Sequence, residues 1–155
     1  MKTAISNTDD VIDSRDVIER IEELEGEIEA LEEAYAEAYE AWEETSDDEE
    51  KQANAEKSDK AQEALREWND DNADELRDLK ALAEEAEGYA ADWKYGETLI
   101  RESHFASYCQ ELCEDVGYIP KDIPSWIEID WKATARNMRQ DYTSVEFGGV
   151  TYLIR

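Results

Sequence analysis

The chain has 155 residues and a formal net charge of −27, from 43 acidic and 16 basic residues. This excess of carboxylates argues against direct binding to nucleic acid or to an anionic membrane, because both require clustered lysine and arginine. It favours a basic protein surface as the partner. No run of about 18 apolar residues predicts a membrane span, the first residues lack the apolar stretch of a secretion signal, and two cysteines suggest no disulfide framework; we therefore expect a cytoplasmic protein.

The uneven distribution of charge indicates the domain organisation. Residues 1–95 contain 33 acidic and 10 basic residues, whereas residues 96–155 contain 10 and 6. We predict a mainly α-helical protein. It has a flexible N-terminal arm over 1–13, a long antiparallel coiled-coil α-hairpin over 14–95 with its tip near 45–58, and a small α+β module over 96–155. That module is predicted to contain two short helices and a C-terminal β-hairpin.

The first long helix is predicted from an apolar heptad repeat, in which apolar residues recur at alternating spacings of four and three. This pattern is typical of a helix whose apolar seam packs against a second helix. Asp13 or Ser14 is suited to cap its start. Gly26 lies off the seam, so it need not interrupt the packing. The seam residues are Val17, Ile21, Leu24, Ile28, Leu31, Tyr35, Ala38 and Trp42.

A second apolar series follows a polar stretch and matches the first in reverse order. Its members are Ala61, Leu65, Trp68, Asn72, Leu76, Leu79, Leu82, Ala83, Ala86, Ala90 and Trp93. The matching places Trp42 opposite Ala61 and Tyr35 opposite Trp68. An antiparallel hairpin requires that residue numbers rise along one helix as they fall along its partner. The two series match in this way, and the match predicts a turn near 51–52.

Two features of the seam admit more than one interpretation. Asn72 either fixes the register, as single buried asparagines do in coiled coils, or lies exposed where the spacing of the repeat changes. The aromatic residues Tyr35, Tyr39, Trp42 and Trp68 lie on or beside the seam and are predicted to belong to the core. A second interpretation leaves Tyr39 exposed for contact with a partner.

Carboxylates cover the faces of the hairpin that the seam leaves free. Ordinary coiled coils mix glutamate with lysine, because like charges one turn apart are destabilising. Two helices about 45 Å long would here carry roughly one net charge per 2 Å of length. This charge density is close to that of duplex DNA, which has about one charge per 1.7 Å. We therefore predict a DNA-mimicking surface; the alternative is an acidic face that only keeps the protein in solution. The candidate partner-binding residues are Asp16, Glu19, Glu22, Glu23, Glu25, Glu29, Glu32, Glu33, Glu37, Glu40, Glu44, Asp70, Asp71, Asp74, Glu75 and Asp78.

The C-terminal module is predicted from shorter patterns. Ser103 is suited to cap one amphipathic helix and Asp130 a second. Two β-rich runs flank Gly148 and Gly149, which suit a two-residue turn of type I′ or II′. The predicted core of the module consists of Phe105, Leu112, Trp131, Tyr142 and Tyr152.

No combination of residues predicts catalysis. Cys109 and Cys113 share a helix face, but His104 lies on another face and no further cysteine or histidine pair completes a zinc site. Nothing in this acidic setting lowers a thiol pKa, so two buried thiols packing as small apolar groups are expected. We predict a protein that is not an enzyme, with no metal and no cofactor.

Twenty residues of the C-terminal third form a distinctive set: Gly96, Glu97, Thr98, Leu99, Ile100, Tyr108, Glu111, Leu112, Glu114, Asp115, Ile129, Asp130, Trp131, Ala135, Arg136, Asp141, Tyr142, Val150, Thr151 and Tyr152. On these residues, the C-terminal third resembles a short module of antirestriction proteins from phages and other mobile elements. The resemblance covers about residues 95–155 and not the hairpin.

This resemblance implies an acidic inhibitor of a bacterial DNA-targeting defence system, acting in the cytoplasm of the bacterial host. The expected partner is the basic DNA-binding surface of a restriction complex or another anti-phage nuclease. The other class of function is an adaptor or structural protein, in which the hairpin dimerises or scaffolds and the C-terminal module binds a partner protein. A homodimer is compatible with either function.

Overall fold

A computed structural model describes residues 4–155, which form a mainly helical protein with one small antiparallel sheet. The helices are α1 (Ser14–Glu44), α2 (Asp48–Glu87), α3 (Trp93–Gly96), α4 (Phe105–Asp115) and α5 (Trp131–Met138), with single 3-10 turns at Glu102–His104 and Arg139–Asp141. The strands are β1 (Val11–Asp13), β2 (Thr98–Arg101), β3 (Thr143–Phe147) and β4 (Val150–Ile154). The predicted fold class, a long helical hairpin with a small α+β module, is confirmed.

The chain forms two compact units. One, here called the hairpin unit, is Glu19–Lys80; the other, the sheet unit, comprises the residues up to Ile18 together with Ala81–Arg155. The unit boundaries cross both long helices, so residues 14–18 of α1 and residues 81–87 of α2 belong to the sheet unit. The predicted boundary at residue 95, where the charge density falls, stays a prediction.

The predicted seam is the buried stripe of the hairpin unit. Leu24 and Leu79 are fully buried, and no predicted seam position between Glu19 and Lys80 is exposed. Asn72 is half-buried, and its side-chain amide donates to the carbonyl oxygen of Trp68 at 3.1 Å. That bond stays within α2, so it satisfies the amide without pairing the two helices.

The connection at the tip is shorter than the polar stretch suggested, because α2 already begins at Asp48 and only residues 45–47 lie outside the helices. Asp47 Oδ1 accepts from the backbone N–H of Glu50 at 3.0 Å, which caps the start of α2. At the end of α1, the Asn54 amide donates to Thr45 Oγ1 at 2.9 Å. The sequence could not show this, because residues 48–58 lack large apolar residues and a polar helical turn then resembles a loop.

The shorter connection changes the register near the tip. Trp42 lines the same cleft as Ala55, six residues before the predicted partner Ala61. Trp68, predicted to face Tyr35, instead donates its indole N–H to Glu27 Oε2 at 2.9 Å. The predicted face of each helix is therefore correct, whereas the pairing predicted for Trp42 and for Trp68 is wrong, because a heptad pattern fixes the face more strongly than the register.

The sheet has the order β1-β2-β4-β3, with every neighbouring pair antiparallel. Phe147 pairs with Val150 across the predicted two-residue turn. Gly148 and Gly149 have φ values of 54° and 79°, both in the left-handed region that a type I′ turn requires. The C-terminal hairpin is thus as predicted, and its turn is of the first of the two predicted types.

Strands β1 and β2 were not predicted. The residues of β1 lie within the part of the chain that the sequence assigned to a flexible arm, yet Val11 pairs with Ile100 of β2, and Ile100 pairs with Leu153 of β4. Strands of three and four residues are too short to show an alternating pattern, so no apolar periodicity marks them.

The helices of the sheet unit depart from prediction mainly at their ends. Helix α2 ends at Glu87, and the four-residue α3 follows it. Helix α4 begins at Phe105 after His104, without the side-chain cap predicted for Ser103. The predicted cap of α5 is present, since Asp130 Oδ1 accepts from the backbone N–H of Ala133 at 3.0 Å.

The predicted core of the module is present in part. Phe105 and Tyr152 are buried, whereas Leu112, Trp131 and Tyr142 are half-buried. A cluster on one side of the sheet joins Phe105 to Ile100 and Leu153 from the strands, with Cys109 and Ala135 completing it. Of the two strands in this cluster, β4 was predicted, whereas β2, which supplies Ile100, was not.

Candidate protein-binding surface

The hairpin unit holds most of the negative charge, with 25 acidic and seven basic residues and hence a net charge of −18. Of the sixteen predicted partner-binding carboxylates, Asp16 lies in the sheet unit and the other fifteen lie in the hairpin unit. All are exposed except Glu23, Glu75 and Asp78, which are half-buried. Thirteen of these residues therefore face solvent, as predicted.

Arg20 organises the most enclosed ion pairs of the hairpin unit. Its guanidinium binds both carboxylate oxygens of Glu75, at 2.8 and 3.1 Å, and Glu23 Oε2 at 3.3 Å. The Arg20 side chain is only 15% exposed. The hydrogen bonds and charge of these carboxylates raise the pKa of Arg20, against the opposing effect of burial. The Glu75 pair therefore joins α1 to α2, whereas the Glu23 pair stays within α1, and neither carboxylate is free to meet a partner.

Three more of the predicted carboxylates have basic neighbours at the surface. Lys80 Nζ lies 2.6 Å from Glu25 Oε1, and Arg77 binds Asp74 and Asp78 at 2.6 and 3.0 Å. The exposed members of such pairs contribute little to stability, because water and salt screen them. A basic partner could replace these contacts at small cost.

The remaining acidic residues define the candidate surface. Asp16 lies beside Arg15, and Glu19 also has an interaction partner. Nine others are exposed and form neither an ion pair nor a hydrogen bond through their side chains within residues 4–155. We call these nine the free carboxylates: Glu22, Glu29, Glu32, Glu33, Glu37, Glu40, Glu44, Asp70 and Asp71.

Two glutamates outside the predicted set have structural contacts that the sequence did not reveal. Glu27 accepts the indole N–H of Trp68, and Glu43 lies close enough to Tyr39 to affect the pKa of its phenol. The charge of Glu43 is the largest cause of the raised pKa of Tyr39. The four-residue spacing of Tyr39 and Glu43 was a usable signal, since it places the two side chains on one face of α1.

The aromatic residues of α1 form an open cleft with the first turns of α2. The ring centroids of Tyr35 and Tyr39 are 6.0 Å apart, and those of Tyr39 and Trp42 are 5.5 Å apart. Tyr39 is 40% exposed, which agrees with the second interpretation of this residue, and Trp42 is half-buried. The cleft has a volume of about 240 Å³.

The cysteines are buried and free, as predicted. Burial, with a smaller contribution from Cys113, raises the pKa of Cys109, which favours the unreactive thiol. His104 Nδ1 lies 3.7 Å from Asp10 Oδ2, a contact with a neighbouring segment. Among residues 4–155 no three acidic, histidine or cysteine side chains are grouped as a metal site would require.

Comparisons with known proteins return no match: no family model, curated protein or solved structure is significantly similar to this chain. The resemblance of residues 95–155 to antirestriction proteins therefore stays a prediction. Within the described part of the chain, no helix has the length and apolar character needed to cross a membrane.

Proposed function

We propose that this protein inhibits a bacterial DNA-targeting defence nuclease by occupying its basic DNA-binding cleft in place of DNA. The observation that carries the proposal is the set of nine free carboxylates on the hairpin unit. These side chains are exposed and have no internal cation within residues 4–155, so they remain available to lysine and arginine residues of a partner.

The arrangement of the charge is what relates this surface to DNA. The α1 part of the hairpin unit, Glu19–Glu44, spans about 39 Å at about 1.5 Å per residue. It carries twelve acidic residues and one arginine. Like charges one turn apart destabilise a helix. A surface that forgoes the usual glutamate–lysine pairs is therefore better explained by a basic partner than by solubility alone. Electrostatic attraction along such a surface would also speed association with a basic cleft.

The identity of the target class rests on the resemblance of the C-terminal third to antirestriction proteins. A restriction complex or another anti-phage nuclease has the long basic cleft that duplex DNA requires, and the hairpin unit supplies a long anionic surface. The inhibition needs no catalytic group, metal or cofactor on the inhibitor.

The adaptor function is the second candidate, and it has a different observation in its favour. Ile28 and Leu31 on the seam are only half-buried, and Tyr39 is exposed. Association of two hairpins would cover these side chains and would make the hairpin a dimerising arm. In that case, the seam and not the free carboxylates would determine activity.

The test compares two variants with the same change in net charge. The hairpin-neutral variant changes Glu29, Glu32, Glu33 and Glu37 to glutamine; the control variant changes the exposed Glu87, Asp92, Asp122 and Glu128 of the sheet unit to their amides. Each protein is expressed in bacteria that carry one defence nuclease, and the plating efficiency of an unmodified phage is measured. We expect wild type and control to restore plating and the hairpin-neutral variant to fail.

A purified nuclease inhibited in that assay then permits a direct measurement. We expect the protein to displace labelled duplex DNA from the nuclease, with an affinity that falls steeply as salt rises, because exposed charges are screened within about 8–10 Å. A ternary complex of nuclease, DNA and inhibitor, unaffected by salt and by the four substitutions, would exclude DNA mimicry and favour the adaptor.

A further inference from the structure

The aromatic cleft of the hairpin unit has two unlike walls. Helix α1 supplies the three rings of Tyr35, Tyr39 and Trp42. Helix α2 supplies only small or polar side chains, which are Ala55, Ser58, Asp59 and Gln62. An apolar seam would be closed at these positions by residues of the size of leucine. The rings therefore face an open space of about 240 Å³.

The open wall leaves large aromatic faces accessible. Tyr39 is 40% exposed, compared with the complete burial of Leu24 and Leu79 further along the same unit. Exposed aromatic rings that neighbour one another are the residues that most often dominate the binding energy of a protein interface. This cleft is accordingly a better candidate for a specific contact than any single free carboxylate.

The chemistry of the cleft favours a cation. Lys51 Nζ lies 5.5 Å from the centroid of the Trp42 ring, so this indole already attracts an ammonium group within the protein. Asp59 contributes an exposed carboxylate to the opposite wall. Glu43, whose charge raises the pKa of Tyr39, adds a second negative charge beside the rings. A nucleobase could stack on the rings, but the net charge of the unit would repel its phosphate.

We infer that this cleft receives an arginine side chain of the protein that binds the hairpin unit. A guanidinium is planar, stacks on aromatic faces and keeps its charge, and it can reach a carboxylate while stacked. Lysine offers a compact charge without a stacking plane. The inference rests on the proposed function, because a DNA-binding cleft is rich in arginine. It adds one contact of defined geometry to a surface that is otherwise recognised through its charge.

The test uses the full-length protein and short capped peptides, Gly-Arg-Gly, Gly-Lys-Gly and Gly-citrulline-Gly. Citrulline keeps the shape of arginine without its charge. The signals of the Trp42 and Trp126 indole N–H groups are followed by nuclear magnetic resonance during titration. Trp126 is the matched control, since it is a tryptophan in the sheet unit with 80% of its surface exposed. We expect a saturable shift of Trp42 with the arginine peptide, a weaker response with lysine, and none with citrulline.

Two substitutions locate the effect without disturbing the seam. Tyr39→Leu removes an exposed ring, and Asp59→Asn removes the carboxylate from the other wall. Tyr39→Leu should weaken binding of the arginine peptide by about fivefold, the size expected for one partly exposed cation–π contact. Asp59→Asn should weaken it by up to about fivefold, the size expected for one exposed ion pair. Trp126→Leu should leave the titration unchanged. An equal response to citrulline, an equal shift of Trp126, or no effect of either cleft substitution would overturn the inference.

Further outcomes separate this inference from the proposed function. If the arginine peptide does not bind, while the hairpin-neutral variant still loses competition with DNA, the inference is wrong and the inhibitor function stands. If the peptide binds but the protein never competes with DNA, the cleft stands and the function is wrong. A second copy of the chain could also cover the rings. Sedimentation showing a dimer that Tyr39→Leu abolishes would assign the cleft to self-association and overturn the inference.

Discussion

Ser14 and Glu97 bind each other through three backbone groups and one hydroxyl, although 83 residues separate them in the sequence. The backbone N–H of Ser14 donates to the Glu97 carbonyl oxygen at 2.9 Å, and the Glu97 N–H donates to Ser14 Oγ at 2.7 Å. The same hydroxyl donates to the carbonyl oxygen of Trp93 at 2.7 Å. Ser14 is fully buried, and these bonds join the first residue of α1 to the segment before β2.

Ser14→Ala is therefore expected to destabilise the protein. The substitution leaves the N–H of Glu97 and the carbonyl of Trp93 without their partner in a buried setting, which costs about 1–3 kcal/mol. Urea denaturation followed by circular dichroism measures the change in free energy of unfolding. Ser107→Ala is the control, since Ser107 is exposed on α4. Equal midpoints for the two variants would contradict a stabilising role for this junction.

The comparison of sequence and structure separates what patterns can determine from what they cannot. The heptads correctly identified the buried faces of both long helices, because burial follows directly from apolar spacing. They did not fix the register near Trp42, because residues 48–58 offer no large apolar side chain to pair with it. The bonds of Ser14 and the strands β1 and β2 also escaped prediction, since they depend on contacts between distant segments.

The same distinction holds for the candidate surface. Composition alone was enough to predict that the acidic residues would face solvent. It could not show that Glu75 is engaged by Arg20, because charge spacing across two helices depends on the register, whereas Arg20 and Glu23 lie three residues apart on one helix. Nor could it show the aromatic cleft, which exists only because Tyr39 and Trp42 lie beside Ser58 and Ala55.

Arg20 is expected to be the most important cation for the stability of the hairpin unit. Arg20→Gln would leave the half-buried Glu75 and its neighbour Glu23 without their positive partner, at a cost of about 1–3 kcal/mol. Arg20→Lys should destabilise the protein by a smaller amount. Lysine keeps the positive charge, but an ammonium cannot bind both oxygens of Glu75 in the planar geometry of a guanidinium.

Thermal denaturation measures these effects, with Arg66→Gln as the control. Arg66 pairs with Glu63 at 3.4 Å, but both side chains are more than half exposed. We expect the control to melt close to wild type. A melting temperature of Arg20→Gln as high as that of the control would show that the enclosed pair contributes no more than an exposed one.

Tyr152 is expected to make stability depend on alkaline pH. Burial raises the pKa of Tyr152 above its ordinary value of 10.0, so the unfolded chain loses this proton at a lower pH than the folded protein. The contribution of Tyr152 to the free energy of unfolding is therefore fully present below about pH 10, and it is lost as pH rises through the folded-state pKa. Tyr152→Phe should reduce the loss of stability between about pH 8 and about pH 11.

The same substitution has a separate cost near neutral pH. The Tyr152 hydroxyl donates to the Asp9 carbonyl oxygen at 2.6 Å, and its removal should cost about 0.5–1.5 kcal/mol. Urea denaturation across the pH range measures both effects. The control is Tyr118→Phe, because Tyr118 is 76% exposed. Cys109 and Tyr142, whose pKa values are also raised, are unchanged in both variants and so cancel in the comparison. An identical pH profile for Tyr152→Phe and wild type would refute the assignment.

The final prediction concerns repulsion along α1. Glu29, Glu33 and Glu37 follow one another at four-residue spacing, and all three are exposed free carboxylates. Like charges at this spacing cost about 0.2–0.5 kcal/mol per pair. The hairpin-neutral variant should therefore unfold at a higher urea concentration than wild type, although it loses the proposed activity.

Salt distinguishes this local repulsion from the charge of the whole protein. Wild type should gain stability as salt is added, because screening shortens the reach of the repulsion to about 10 Å at 0.1 M. The hairpin-neutral variant should gain less. The control variant, with the same net charge but intact carboxylates on α1, should respond to salt nearly as wild type does. If both variants respond equally, net charge is responsible and repulsion along α1 is not. If the hairpin-neutral variant is instead the least stable of the three, the free carboxylates support the fold and are not kept for a partner.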